Sequence, residues 1–130
     1  MTHRVKIKVY YEDTDAGGVV YYGRYLGYLE RARTELLAEH GVVVSDFHRK
    51  GIYFVVVRVE IDYRKPARLG EIVDVTTEVT ETRNASMTLK QQVLREDTLL
   101  VDALVTFACV DEKGKPIRLP AHLKGIGVAG

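Results

Sequence analysis

The chain has 130 residues, with 19 Lys and Arg against 18 Asp and Glu, a formal net charge of +1. That length fits one domain with a real core, expected to span residues 1–130, and the near-cancelled charge gives no bulk electrostatic reason for a nucleic-acid or membrane partner. The single cysteine, Cys109, excludes an intrachain disulfide and any C-x-x-C metal or redox motif, and no apolar run approaches the roughly 18 residues of a membrane span.

The N-terminus enters strand pattern at once, with Val5, Ile7, Val9 and Tyr11 alternating with Lys6, Lys8 and Tyr10. No signal-peptide apolar region precedes it, so a cytoplasmic protein is expected. Glu12, Asp13 and Asp15 follow, then Ala16-Gly17-Gly18. Behind them Tyr22, Tyr25, Leu26, Leu29, Ala32 and Leu36 recur at helical spacing, predicting a helix from about Gly23 to His40 with Gly41 as its stop. Ser45–Lys50 predicts one more helical turn, closed by Gly51.

Strands take over from there. Ile52–Tyr63 is rich in Val, Ile, Tyr and Phe, and Lys65–Gly70 breaks it with turn residues. Ile72–Val79, Ser86–Arg95 and Leu99–Val110 follow, separated by the short connections Thr82–Ala85 and Glu96–Thr98. The last of these strands is the most apolar, as a central strand should be, and Cys109 within it reads as a small buried residue. Ile117–Pro120 predicts a short edge. Such short connections make neighbouring strands antiparallel. The predicted fold is α+β: one strand, one long helix, then a meander of four strands covering a face of that helix. A sheet with a single helix on it leaves edges uncovered, so at least a dimer is expected. Val42-Val43-Val44 suits a buried linker or an interface.

Several motifs fail on inspection. Asp13–Gly18 begins like a calcium loop, but its fifth position is Gly17, where Asp or Asn is needed, and its twelfth is Arg24, where a bidentate Glu should sit. Gly125–Gly130 spells G-x-G-x-x-G at the chain end, with no helix after it to receive a pyrophosphate. His3, His40, His48 and His122 lack metal-ligand spacing, so no metal site is expected. The carboxylates remain, and only the Glu12, Asp13 and Asp15 cluster has a helix start beside it. If the strand alternation continued through the cluster, Asp13 and Asp15 would share a face. Asp13 reads as a turn cap. For Asp15, spacing alone leaves a helix-capping and a catalytic role equally open. A carboxylate beside free helix N–H groups suits carbonyl chemistry: it supplies a nucleophile or base, and they hold an oxyanion.

Tyr10–Tyr21, continued by Tyr25 and Glu30-Arg31-Ala32-Arg33, carries the pattern D-x-D-x-x-G-x-V-x-Y. Together with Tyr63–Gly70, which contains Y-x-x-P-A-R, and Val110-Asp111, it closely resembles the 4-hydroxybenzoyl-CoA thioesterase family, in its YbgC-like acyl-CoA thioesterase branch. The resemblance reaches to about residue 120. It implies the hotdog fold, a long central helix wrapped by an antiparallel sheet. It also implies hydrolysis of a small-molecule acyl-CoA to free acid and CoA, without metal or redox cofactor, in dimers or tetramers with the site at a subunit interface.

The family's catalytic aspartate falls on Asp15, and the backbone N–H that meets the thioester carbonyl falls on Tyr22. Gly18 shapes the approach of substrate. Many YbgC-like enzymes carry histidine where this chain has Tyr22, whereas the aromatic-substrate branch carries tyrosine. Tyr25 and Val57 are candidate walls of the acyl pocket, and Arg83 and Ser86 resemble the family's CoA-binding turn. Two other classes are weighed beside this one. A non-catalytic hotdog that binds acyl-CoA or a protein would need no carboxylate at Asp15. A dehydratase would need a histidine near the helix start, where none stands.

Overall fold

The computed structural model describes residues 2–126; Met1 and residues 127–130, most of the glycine-rich tail, lie outside that range. Its elements are β1 (His3–Lys8), α1 (Arg24–Glu39), α2 (Val44–Arg49), β2 (Tyr53–Tyr63), β3 (Ile72–Thr82), β4 (Ser86–Arg95), β5 (Thr98–Val110) and α3 (Ala121–Lys124). The strands form one antiparallel sheet in the order β1-β3-β4-β5-β2. Period-two alternation puts Val101, Ala103, Val105, Phe107 and Cys109 of β5 into the core. Against them α1 lays its buried stripe, Tyr25, Tyr28, Leu29, Ala32, Leu36 and Leu37.

The end of α1 follows from its sequence. The N–H of Gly41 bonds the Ala38 carbonyl at 3.0 Å and that of Val42 bonds Leu37 at 2.9 Å, the paired bonds of a Schellman stop. Gly41 takes φ +82°, which a side chain would strain. One buried polar group ties helix to sheet. Gln91 of β4, fully buried, donates to the Leu29 carbonyl at 2.9 Å and to Thr77 Oγ1 at 3.0 Å, while Arg33 donates to its Oε1 at 3.1 Å.

Three expectations are corrected. First, β1 ends at Lys8, and Tyr11–Asp13 forms a 3-10 turn. Asp13 Oδ2 accepts the Tyr10 N–H at 2.9 Å and Thr14 Oγ1 donates to the Tyr11 carbonyl at 2.8 Å, local bonds that outcompete a ladder. Asp13 and Asp15 therefore do not share a face: Asp13 is buried and Asp15 is exposed. Second, β2 does not neighbour β3; it pairs with β5 at the far edge. Residues 64–71 cross instead over the start of α1, spanning three strand spacings of about 4.8 Å each, well within their extended reach. Third, Ile117–Pro120 adds no edge strand. A single bridge joins Val110 to Pro116, and α3 follows.

Candidate active site

Residues 13–21 fold into a small hairpin. Tyr21 donates to the Asp13 carbonyl at 2.9 Å and Asp15 to Val19 at 2.9 Å, and the turn closes with Gly18 donating to the Asp15 carbonyl at 3.1 Å. Gly18 holds φ +78°, and its own carbonyl accepts Leu69 N–H at 3.0 Å. With Val20 donating to Ala67 at 2.9 Å, this docks the hairpin onto the β2–β3 connection. The connection is anchored in turn where the buried Ala67 donates to Tyr25 Oη at 3.0 Å. Asp15 thus stands at the exposed tip of a hairpin tied to that connection by two backbone bonds.

The Asp15 carboxylate is partly pinned. Its Oδ1 accepts the Gly17 N–H at 2.8 Å, while its Oδ2 has no partner among the described residues. This local bond settles one alternative: Asp15 caps its own turn, not α1, whose cap position is Gly23. Gly23 brings no side chain to that end, and no acidic residue sits in the first turn. Tyr21 accepts Arg24 N–H at 2.8 Å and Tyr22 accepts Tyr25 N–H at 3.4 Å, but the N–H of Tyr22 itself makes no hydrogen bond among the described residues. The positive end of a 16-residue helix is left uncapped by side chains beside the strand that returns from Asp15.

Around it lies a cleft of about 240 Å³ lined by Val20, Tyr22, Tyr25, Tyr63, Arg64, Lys65 and Pro66. The Tyr63 ring meets Tyr22 edge-on at 6.1 Å and Tyr25 at 5.7 Å between centroids. Beneath it Tyr28 is buried against Tyr25 at 5.9 Å. Burial first, and the neighbouring Asp13 carboxylate second, raise the pKa of Tyr28 far above that of free tyrosine. Its hydroxyl has no hydrogen-bond partner among the described residues.

Val57, Arg83 and Ser86 sit elsewhere. They line a groove of about 350 Å³ with Arg58, Glu60, Thr88, Leu104 and Thr106, on the sheet face turned away from α1. Val57 is the extra residue of a bulge between Val56 and Arg58, which turns it outward on the β2 edge, 60% exposed. Within one chain it is no wall of the tyrosine cleft. Arg83 is exposed and paired with Glu81 at 2.8 Å. Another groove, of about 580 Å³, follows β1 past Arg31 and Glu35; it touches Glu12 and Asp13 but none of the residues expected in the site.

Residues 17–101 match the family described as "Thioesterase superfamily". The chain belongs to that family. The matched region of this thioesterase begins just after Asp15 and takes in Gly18, Tyr22, Tyr25, Val57, Arg83 and Ser86. The chain is 43% identical over 122 residues to the acyl-CoA thioester hydrolase YbgC of Escherichia coli O157:H7, covering 92% of this chain and 91% of that one. The acyl-CoA thioesterase YbgC of Haemophilus influenzae is 42% identical over 120 residues, covering 91% and 88%. A probable thioesterase from Bartonella henselae has the same fold, with a TM-score of 0.86 and 34% identity over 92% of this chain and 100% of that one. The fold is the hotdog, and the thioesterase is a thioester hydrolase.

The sequence missed two parts of this arrangement. Tyr63 stands 41 positions from Tyr22, which its hydroxyl reaches, and Ala67 anchors the hairpin through its backbone alone. No spacing rule links residues that far apart. Among the described residues no three His, Cys, Asp or Glu side chains gather where they would hold a metal ion, and no helix is long and apolar enough to cross a membrane.

Proposed function

We propose that this thioesterase hydrolyses acyl-CoA to free acid and CoA, with Asp15 as the catalytic carboxylate. The observation that carries the reading is the single hairpin that joins a half-free carboxylate to an uncapped helix start: Asp15 at its tip, the unpaired Tyr22 N–H where it enters α1. In the reaction, either an Asp15 oxygen attacks the thioester carbonyl carbon, or Asp15 takes the proton from a water that does. The carbonyl oxygen gains charge and accepts the Tyr22 N–H; one such donor contributes on the order of 3 kcal/mol in the transition state. The C–S bond then breaks and CoA leaves as its thiolate. Through the anhydride, water restores Asp15 and completes the acid. No metal or redox cofactor takes part, and coenzyme A enters only as part of the substrate.

The acyl group occupies the Tyr22, Tyr25 and Tyr63 cleft, and the groove at Arg83 and Ser86 receives CoA. Because these lie apart in one chain, the working site is assembled from two copies, joined through the exposed β2 edge with its Val55, Val56, Val57 and Val59. The YbgC relatives, named for acyl-CoA hydrolysis, support the same substrate class. Release of free CoA from a panel of aliphatic and aromatic acyl-CoAs tests the reading. Steady turnover of at least one acyl class is expected. Binding of CoA thioesters with no release from any of them would reject it.

A further inference from the structure

Tyr22 lies just ahead of α1, and its two backbone groups face different fates. Its carbonyl is too early for the helix ladder; its backbone partner is Tyr25 N–H at 3.4 Å, a long contact. A second hold comes from the last residue of β2, where Tyr63 Oη donates to the Tyr22 carbonyl at 3.2 Å. On the other side, the peptide that carries the Tyr22 N–H is fixed by Arg24 N–H on the Tyr21 carbonyl at 2.8 Å. The direction of the free N–H is therefore set between two anchors, one inside the helix turn and one on the sheet.

We propose that Tyr63 is a positioning residue for the oxyanion donor: its hydroxyl, by holding the Tyr22 carbonyl, fixes the rotation about Tyr22 that aims the neighbouring N–H at the thioester oxygen. The inference rests on the reading of Asp15 and Tyr22 as the reacting site. The Tyr63 ring contributes separately, packing edge-on against Tyr22 and beside Tyr25 as a wall of the cleft. Partial burial and the adjacent Tyr22 raise the pKa of Tyr63, so the hydroxyl keeps the proton it donates. The bond strengthens no ground-state contact with substrate, because it is made to the backbone. Its loss should appear in kcat and not in KM.

The test compares Tyr63→Phe, Tyr63→Leu and Asp15→Asn with wild type on a short aliphatic acyl-CoA and on benzoyl-CoA, with amide hydrogen exchange at Arg24 and Tyr25 followed in parallel. Tyr63→Phe keeps the ring and should lower kcat about tenfold, the effect of losing one neutral hydrogen bond in the transition state. KM should stay within about twofold, the melting temperature should be unchanged, and the Tyr25 amide should exchange faster. Tyr63→Leu should add a rise in KM from loss of the wall. Wild-type kcat in Tyr63→Phe, with Asp15→Asn inactive, would overturn the role of Tyr63 and leave the site reading intact. Full turnover in Asp15→Asn would place the chemistry elsewhere and overturn both.

Discussion

At the scale of single residues, the site depends on conformations that few side chains tolerate. Gly18 turns the hairpin at φ +78° with open space where a Cβ would go, so any penalty there comes from the backbone and not from collision. Gly18→Ala should cost about 1–2 kcal/mol, seen as a lower urea midpoint, with turnover reduced as the Asp15 tip shifts. Tyr28 offers a different test. Its folded-state pKa is raised, so its neutral form is what the fold stabilises; that contribution is fully present below about pH 10, the unfolded value, and is lost as pH rises beyond it. Stability should therefore decline above pH 10, and Tyr28→Phe should flatten the decline in thermal melts recorded across that range. Because the hydroxyl has no well-formed partner to lose, the same variant should be near neutral at pH 7.

Elements were legible where the cue is local. The helix is written in the recurrence of Tyr25, Leu29, Ala32 and Leu36 with Gly41 after it, and the observed Arg24–Glu39 lies within the expected span. β4 and β5 were legible from apolar residues between short turns. The pairing of β2 with β5 was not, because it joins residues from Tyr63 with Val101 to Tyr53 with Val110, and two other strands, β3 and β4, lie between them in the chain. The same limit hid the site's supports. The catalytic candidates were readable from one short motif, whereas the bond from Tyr63 to Tyr22 and the docking of the hairpin on Ala67 exist only after the chain has crossed over α1. Gln91 is the element-scale counterpart, a lone amide holding Leu29, Thr77 and Arg33 together. Gln91→Leu should destabilise by about 1–3 kcal/mol, since it leaves Arg33 and Thr77 without that partner in the interior. Chemical denaturation measures it.

On the scale of the whole molecule, the two sheet edges differ in character. β1 carries Arg4, Lys6 and Lys8, outward-facing cations of the kind that blunt an edge, and Arg4 and Lys6 are spent on Asp74 at 3.3 and 3.0 Å. β2 exposes Val55, Val56, Val57 and Val59, and its exposed Arg58 and Glu60 are paired with each other. Association through β2, as proposed above, places the joint beside the groove of Arg83 and Ser86 and on the side of the sheet opposite β1. Val59→Lys should lower the mass seen by sedimentation and turnover together. A variant that becomes monomeric yet keeps full activity would show that one chain holds a complete site.

In the proposed reaction a single carboxylate at the hairpin tip does the chemistry. The most direct measurement is kcat/KM for acyl-CoA hydrolysis in Asp15→Asn beside wild type, with melting curves to confirm that both are folded. Asp15 is exposed, and its amide replacement can still accept the Gly17 N–H, so the fold should be unaffected. A loss of about a hundredfold or more at unchanged melting temperature is expected. Turnover that survives in the folded variant would contradict it.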